Sequence, residues 1–89
     1  GSVSKECVIQ MANHAKLKFH SDYSIATSGI AGPAGGTPEK PVGTVWIAVS
    51  GPEKTLALKF IFGDDRQRNI QMTAAAALNM LRKIILKEA

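Results

Sequence analysis

The chain has 89 residues, of which 45% are hydrophobic and 20% charged, with five aromatic residues and one cysteine. This length suits one small domain, and the composition excludes a disordered segment, a collagen repeat and a disulfide-stabilised scaffold. Because Cys7 has no second cysteine to pair with, we expect a reducing compartment.

The net charge of +4 and the apolar pattern limit the partners. Nucleic-acid binding needs a denser basic stripe with exposed aromatic residues, so we expect no nucleic-acid partner. No apolar run approaches the ~20 residues of a membrane span, and no signal peptide is visible, so we expect a cytoplasmic protein without a membrane partner. Gly1 and Ser2 resemble an expression scar, and we expect one domain over 3–89.

The first predicted element is a helix from about Lys5 to Phe19. The hydroxyl of Ser4 suits the N-cap, and Glu6 lies near the positive end of the helix dipole. Helical spacing predicts a buried face made of Val8, Met11, Ala12, Ala15 and Phe19.

A short strand is predicted over Tyr23–Thr27, followed by a loop over Ser28–Pro41. The loop contains four glycines and three prolines, too many for a regular element. Loops of about fourteen residues are uncommon in small domains and are often functional.

A hairpin is predicted next, with strands over Val42–Ser50 and Thr55–Phe62 and a turn over Gly51–Lys54. Both strands carry apolar residues on both faces, so the sheet needs a helical layer on each side. In the first strand one face holds Val45, Ile47 and Val49 and the other Trp46 and Ala48. In the second strand one face holds Leu56, Leu58, Phe60 and Phe62 and the other Ala57 and Ile61.

The last element is a helix capped by Asp64 or Asp65 and ending near Lys87. Its predicted buried stripe is Ile70, Ala74, Ala77, Leu81 and Ile84, broadened by Leu78 and Ile85. The fold class is therefore α/β, a three-layer α/β/α sandwich in the order helix, strand, loop, hairpin, helix. A three-stranded sheet leaves open edges, so we expect further chain or a homo-oligomer to cover one of them.

Two groups of residues point to a ligand. The glycine loop can present backbone amides to an anion, with hydroxyls from Ser28 and Thr37 and a charge from Lys40; a tight structural connection is the alternative. Arg66 and Arg68 lie in the first turn of the last helix, where the dipole disfavours them. They either pair with the neighbouring aspartates or serve an anion. His14 and His20 are expected to be solvated.

At these residues the chain resembles a known family. Residues 28–45, SGIAGPAGGTPEKPVGTV, resemble the signature segment of the CinA C-terminal domain, the competence-damage-inducible or nicotinamide-nucleotide amidase family. Val3-Ser4 and Gly63-Asp64-Asp65-Arg66 also match, although the family more often reads Gly-Asp-Arg directly.

The resemblance implies a bacterial hydrolase of NAD recycling that converts nicotinamide mononucleotide to the acid nucleotide and ammonia, without a metal or cofactor. The family domain is about twice this length, a sandwich with a mixed sheet. Its serine nucleophile lies in an Ala-Glu-Ser-Cys-Thr-Gly-Gly segment, and its Tyr and Lys partners lie in a Tyr-Ser-Asn-Glu-x-x-Lys segment. Both segments are absent here, so no catalytic residue is assigned.

The resemblance makes this chain the C-terminal half of such a domain, with the N-terminal half as a partner and a small-molecule nucleotide as ligand. The alternative is a non-catalytic nucleotide-binding or assembly module. The residues assigned to substrate binding are Ser28, Gly29, Gly32, Gly35, Gly36, Thr37, Lys40 and Arg66.

Overall fold

The structure is a computed structural model that describes residues 4–29 and 43–87. Its elements are α1 (Lys5–Lys18), β1 (Ser24–Gly29), β2 (Thr44–Ser50), β3 (Thr55–Ile61) and α2 (Arg66–Ile85). The three strands form one sheet in the order β1-β2-β3, and both strand pairs are antiparallel. The helix, strand, hairpin and helix predicted from the sequence are all present.

The two faces of β2 are covered by different helices. Val45, Ile47 and Val49 pack with Ala77, Met80 and Ile84 of α2. Side chains of successive strand residues point to opposite faces, and accordingly Ala48 packs on the other side. There it forms a cluster with Val8 and Ala12 of α1 and with Ala26 of β1. The three-layer α/β/α architecture is therefore confirmed.

The start of α1 is as predicted, but its buried face is narrower. The Ser4 hydroxyl accepts a hydrogen bond from the Cys7 amide at 3.2 Å. Val8 and Ala12 are buried, whereas Met11 is exposed and Phe19 is 71% exposed. Phe19 is the C-cap rather than part of the last turn, so it leaves the helical face that the periodicity assigned to it.

Helix α2 is rotated relative to the predicted stripe. The buried residues are Asn69, Ala77, Met80 and Ile84, and the helix ends at Ile85 rather than Lys87. Ile70 is 51% exposed and Leu78 is 63% exposed, so both of these predicted core positions were wrong. Ala74 and Ile85 are also exposed. Successive residues of a helix are rotated by ~100° about its axis. A buried face that contains Asn69 instead of Ile70 therefore points in a different direction from the predicted one.

A polar cluster joins α1 to the hairpin. The Asn13 amide oxygen accepts hydrogen bonds from the Ser50 hydroxyl at 2.7 Å and the Thr55 hydroxyl at 3.1 Å. Lys16 Nζ donates to the Gly51 carbonyl at 2.6 Å. The Gly51 amide in turn donates to the Lys54 carbonyl at 2.8 Å and closes the predicted four-residue turn.

Candidate functional site

One end of the sheet brings together the two sides of the glycine segment and the start of α2. Gly29, the last residue of β1, lies opposite Val45, and Thr44, the first residue of β2, lies opposite Ile61. Helix α2 begins five residues after Ile61. The end of β1, the start of β2 and the N-terminus of α2 therefore share this end of the sheet.

Two glycines at this end cannot be replaced without displacing backbone. A Cβ on Gly29 would lie 2.5 Å from the Thr44 carbonyl oxygen. Gly43 has a φ of +86°, and a Cβ there would collide with the carbonyl oxygens of Phe62 and Gly63. The Phe62 amide also donates to the Gly43 carbonyl at 2.9 Å. Close backbone approach and a left-handed φ therefore explain these two glycines.

The N-terminus of α2 is fixed by two side chains. Asp65 is the N-cap, and its carboxylate accepts a hydrogen bond from the Arg68 amide at 3.1 Å. Asn69 is 1% exposed, and its Nδ2 donates to the Gly63 carbonyl at 2.7 Å. The sequence analysis missed Asn69 because a polar residue does not enter an apolar periodicity; a buried Asn one turn after a cap gives no sequence signal of its own.

Arg66 and Arg68 are exposed in the first turn of α2, which contains no acidic residue. Within the described ranges, no ion pair joins either arginine to Asp64 or Asp65, and the capping bond uses the Arg68 backbone. In the described residues, therefore, these arginines do not pair with the neighbouring aspartates, which was one of the two predicted alternatives. Two guanidinium groups add positive charge where the helix dipole is already positive.

The structure places three of the eight assigned binding residues. Ser28 and Gly29 lie in β1 rather than in a loop, which corrects the predicted start of the loop. Strand alternation puts Ser28 on the same face as Ala26, towards α1, whereas Arg66 belongs to the layer on the opposite face. The Ser28 side chain and Arg66 are therefore not brought together. The remaining residues, Gly32, Gly35, Gly36, Thr37 and Lys40, lie outside the described residues.

An apolar groove of about 550 Å³ starts at this end of the sheet and runs between β1 and α2. Strand β1 contributes Ile25, Thr27 and Gly29 to its floor, with Val45 of β2 beside them. Its other wall is one side of α2: Asn69, Ile70, Thr73, Ala74, Ala77 and Leu78. None of the residues that line it within the described ranges is charged.

None of the hydroxyl groups with defined partners is hydrogen-bonded to a base that could activate it as a nucleophile. Ser24 donates to the Ala12 carbonyl, and Ser50 donates to Asn13. In the described ranges, no group of three or more His, Cys, Asp or Glu side chains is placed to hold a metal ion. Neither helix in these ranges is long and apolar enough to cross a membrane.

The fold and the arrangement at this end of the sheet define an α/β/α domain with a glycine-bordered helix N-terminus. The family described as CinA C-terminal domain matches residues 1–85. The chain therefore belongs to the CinA C-terminal domain family.

Similar sequences are named CinA-like proteins. A CinA-like protein of Cytophaga hutchinsonii is 48% identical over 83 residues, covering 93% of this chain and 20% of its own length. One from Thermosipho melanesiensis is 48% identical over 87 residues, covering 96% of this chain and 22% of its own. The chain thus spans about a fifth of the length of these relatives.

Solved structures match more than nine tenths of this chain. A competence/damage inducible protein of Agrobacterium tumefaciens has a TM-score of 0.88 at 37% identity, covering 91% of this chain and 50% of that one. The competence damage-inducible protein A of Klebsiella pneumoniae has a TM-score of 0.87 at 32% identity, covering 96% of this chain and 53% of that one. The chain therefore spans about half of these solved chains.

Proposed function

We propose that this chain is part of a nicotinamide-nucleotide amidase domain and contributes residues that bind the nucleotide. The reaction is hydrolysis of the carboxamide of nicotinamide mononucleotide, which gives the acid nucleotide and ammonia. The observation that carries the binding role is the convergence of Gly29, Gly43 and the N-terminus of α2 at one end of the sheet. Unpaired amides of a helix N-terminus and glycine backbone are suited to a phosphate group.

Arg66 has a specific role in this proposal. Its guanidinium is exposed in the first turn of α2, where the dipole opposes a cation unless an anion binds nearby. A planar guanidinium fork can hold two phosphate or carboxylate oxygens at once, which a lysine cannot do. Gly32, Gly35, Gly36, Thr37 and Lys40 supply amides, a hydroxyl and a second charge in the same proposal.

The chemical step needs groups from elsewhere. Amide hydrolysis by acyl transfer requires a nucleophile with a base beside it. The defined partners of Ser24, Ser50 and Thr55 are backbone, amide or hydroxyl groups rather than an imidazole, amine or carboxylate. We therefore assign nucleotide binding to this chain and the nucleophile to the half of the domain that it lacks.

A second candidate function is a non-catalytic nucleotide-binding or assembly module. The same observation on the hydroxyl groups favours it, because binding alone needs no activated nucleophile. Ammonia release by this chain combined with the other half of the family domain separates the two candidates, because only the amidase proposal predicts it. The purified chain is expected to release none from nicotinamide mononucleotide in either case. If the purified chain releases ammonia and a point change within it abolishes the release, the division of roles proposed above is wrong.

The binding role is tested by amide NMR with nicotinamide mononucleotide as the probe and inorganic phosphate as a second probe. We expect shifts of Gly32–Thr37 and of the first turn of α2 together, weakened by added salt. Arg66→Ala should weaken binding by about 1.5–3 kcal/mol, the range for a charged hydrogen bond. Arg68→Ala is the matched control and should change binding less. Unchanged shifts in Arg66→Ala would remove Arg66 from the site.

A further inference from the structure

The hydroxyl group of Thr44 is enclosed at the end of the sheet that holds the proposed binding site. Thr44 is the first residue of β2 and follows Gly43, and its side chain is only 4% exposed. Within the described residues, its Oγ1 has no hydrogen-bond partner. Buried polar groups are almost always hydrogen-bonded, and leaving one without a partner costs free energy. The described fold therefore gains no stability from this hydroxyl.

Thr55 shows what a threonine at the start of a strand contributes when its hydroxyl serves the fold. Thr55 is the first residue of β3, at the opposite end of the sheet. Its hydroxyl lies 3.1 Å from both the Asn13 amide oxygen and the Ser50 hydroxyl. Both threonines suit a strand because their side chains are β-branched. Valine would serve the strand equally well at position 44, so the hydroxyl of Thr44 needs another explanation.

The Thr44 side chain lies on the α1 side of the sheet. Val45 packs against α2, and successive side chains of a strand alternate between the two faces, so Thr44 points to the other layer. Ser28 lies on the same face, opposite Trp46, which is two residues from Thr44 along β2. Diagonal neighbours of this kind are roughly 7–8 Å apart. Ser28 and Thr44 therefore place two hydroxyl groups on one face, while Arg66 belongs to the layer on the other face.

We infer that the Thr44 hydroxyl forms a hydrogen bond with the uncharged part of the nucleotide, its ribose or its carboxamide, and so contributes to substrate selection. This inference rests on the proposed function, in which the phosphate binds at the N-terminus of α2. Because β2 is the central strand, a nucleotide that reaches from Arg66 to Ser28 passes Thr44. An uncharged group is the suitable partner, since a phosphate enclosed beside Thr44 would need a cation and Lys59, on the same face, is exposed.

Formation of this hydrogen bond involves a local change of structure. The Thr44 Oγ1 atom is closed to solvent in the ligand-free chain, so the groups that cover it shift when the nucleotide binds. The backbone around it is closely packed, because a Cβ on Gly29 would lie 2.5 Å from the Thr44 carbonyl oxygen. A shift there should therefore reach the amide signals of Thr44 and Val45. Since the hydroxyl is buried and unpaired before binding, the new hydrogen bond replaces no bond to water.

The test is Thr44→Val, which removes the hydroxyl and keeps the shape of the side chain. Amide NMR titration of the full 89-residue chain with nicotinamide mononucleotide should give a Kd raised about three- to tenfold, the effect of one uncharged hydrogen bond. Binding of inorganic phosphate should not change, because the proposed phosphate site lies on the other side of the sheet. Thr44→Ser keeps the hydroxyl and should bind the nucleotide more tightly than Thr44→Val. The urea midpoint of Thr44→Val should equal or exceed that of the wild-type chain.

Thr55→Val is the matched control, and its urea midpoint should fall while nucleotide binding is unchanged. Equal nucleotide affinity of Thr44→Val and the wild-type chain, with Arg66→Ala still weakening binding, would overturn the role of Thr44 and leave the proposed function standing. Weaker phosphate binding in Thr44→Val would also overturn it. So would a urea midpoint as low as that of Thr55→Val, because the hydroxyl then serves the fold. A wild-type chain without any response to the nucleotide would remove the proposed function and this inference together.

Discussion

The Asn69 side-chain amide donates to the Gly63 carbonyl at 2.7 Å, from a position that is 1% exposed. This bond ties the first turn of α2 to the segment that follows β3. Asn69 lies on the buried face of α2 together with Ala77, Met80 and Ile84. Met80 lies in the core, and Ile70 and Leu78 lie in the groove beside β1.

Asn69→Ala is expected to destabilise the fold by about 1–3 kcal/mol. The substitution removes the hydrogen bond and leaves the Gly63 carbonyl without this donor. Urea unfolding monitored by circular dichroism gives the free energy of unfolding. Asn79→Ala is the control, since Asn79 is an exposed residue of the same helix and its change should cost less than about 0.5 kcal/mol. Equal effects of the two variants would contradict the anchoring role.

Asn13→Ala should also destabilise the protein, by about 1–3 kcal/mol. Its amide oxygen accepts hydrogen bonds from Ser50 and Thr55, and Ser50 is fully buried. Loss of the acceptor leaves a buried hydroxyl with poorer partners. Gln10→Ala, an exposed change in the same helix, is the control and should have little effect on the urea midpoint. A neutral Asn13→Ala would mean that the cluster adds nothing to stability.

Gly43→Ala is expected to cost more than about 2 kcal/mol of stability. The residue has a φ of +86°, and its Cβ would meet the carbonyl oxygens of Phe62 and Gly63. Gly63→Ala is the matched control and should cost less, because a Cβ there meets nothing within 4 Å. Thermal unfolding of both variants checks the difference. If Gly43→Ala is as stable as Gly63→Ala, the backbone at this end of the sheet can rearrange at little cost in stability.

Arg66→Glu separates binding from stability. A carboxylate in the first turn interacts favourably with the helix dipole, so α2 should be stabilised by about 0.3–1 kcal/mol at low salt. The same change places a negative charge beside the proposed phosphate site and should abolish the NMR response to nicotinamide mononucleotide. Arg68→Glu should give a similar stability gain with a smaller loss of response. If Arg66→Glu lowers stability, Arg66 has a structural partner.

The sequence predicted the order of elements because the relevant signals are local. Alternation in β2 assigned Val45 and Ile47 to one layer and Ala48 to the other, as found. The buried face of α2 was predicted only in part: Ala77 and Ile84 are buried as expected, but apolar spacing favoured Ile70 and gave no signal for the buried Asn69. For the site, the sequence indicated the glycine segment and Arg66 as candidates for binding an anion. It could not show that Ser28 points away from α2, since this depends on the register of β1.

The two helical layers differ in the size of the side chains that separate them from the sheet. Three of the four buried residues on the α1 side are alanines, namely Ala12, Ala26 and Ala48, and the fourth is Val8. The α2 side holds the larger Ile47, Val49 and Met80. A contact built largely of alanines leaves little room between helix and sheet, so an added methylene there should destabilise the fold. Methionine, by contrast, adjusts its shape to its neighbours. Sequence variation during evolution or engineering should therefore accumulate under α2, while α1 keeps the interlayer spacing fixed.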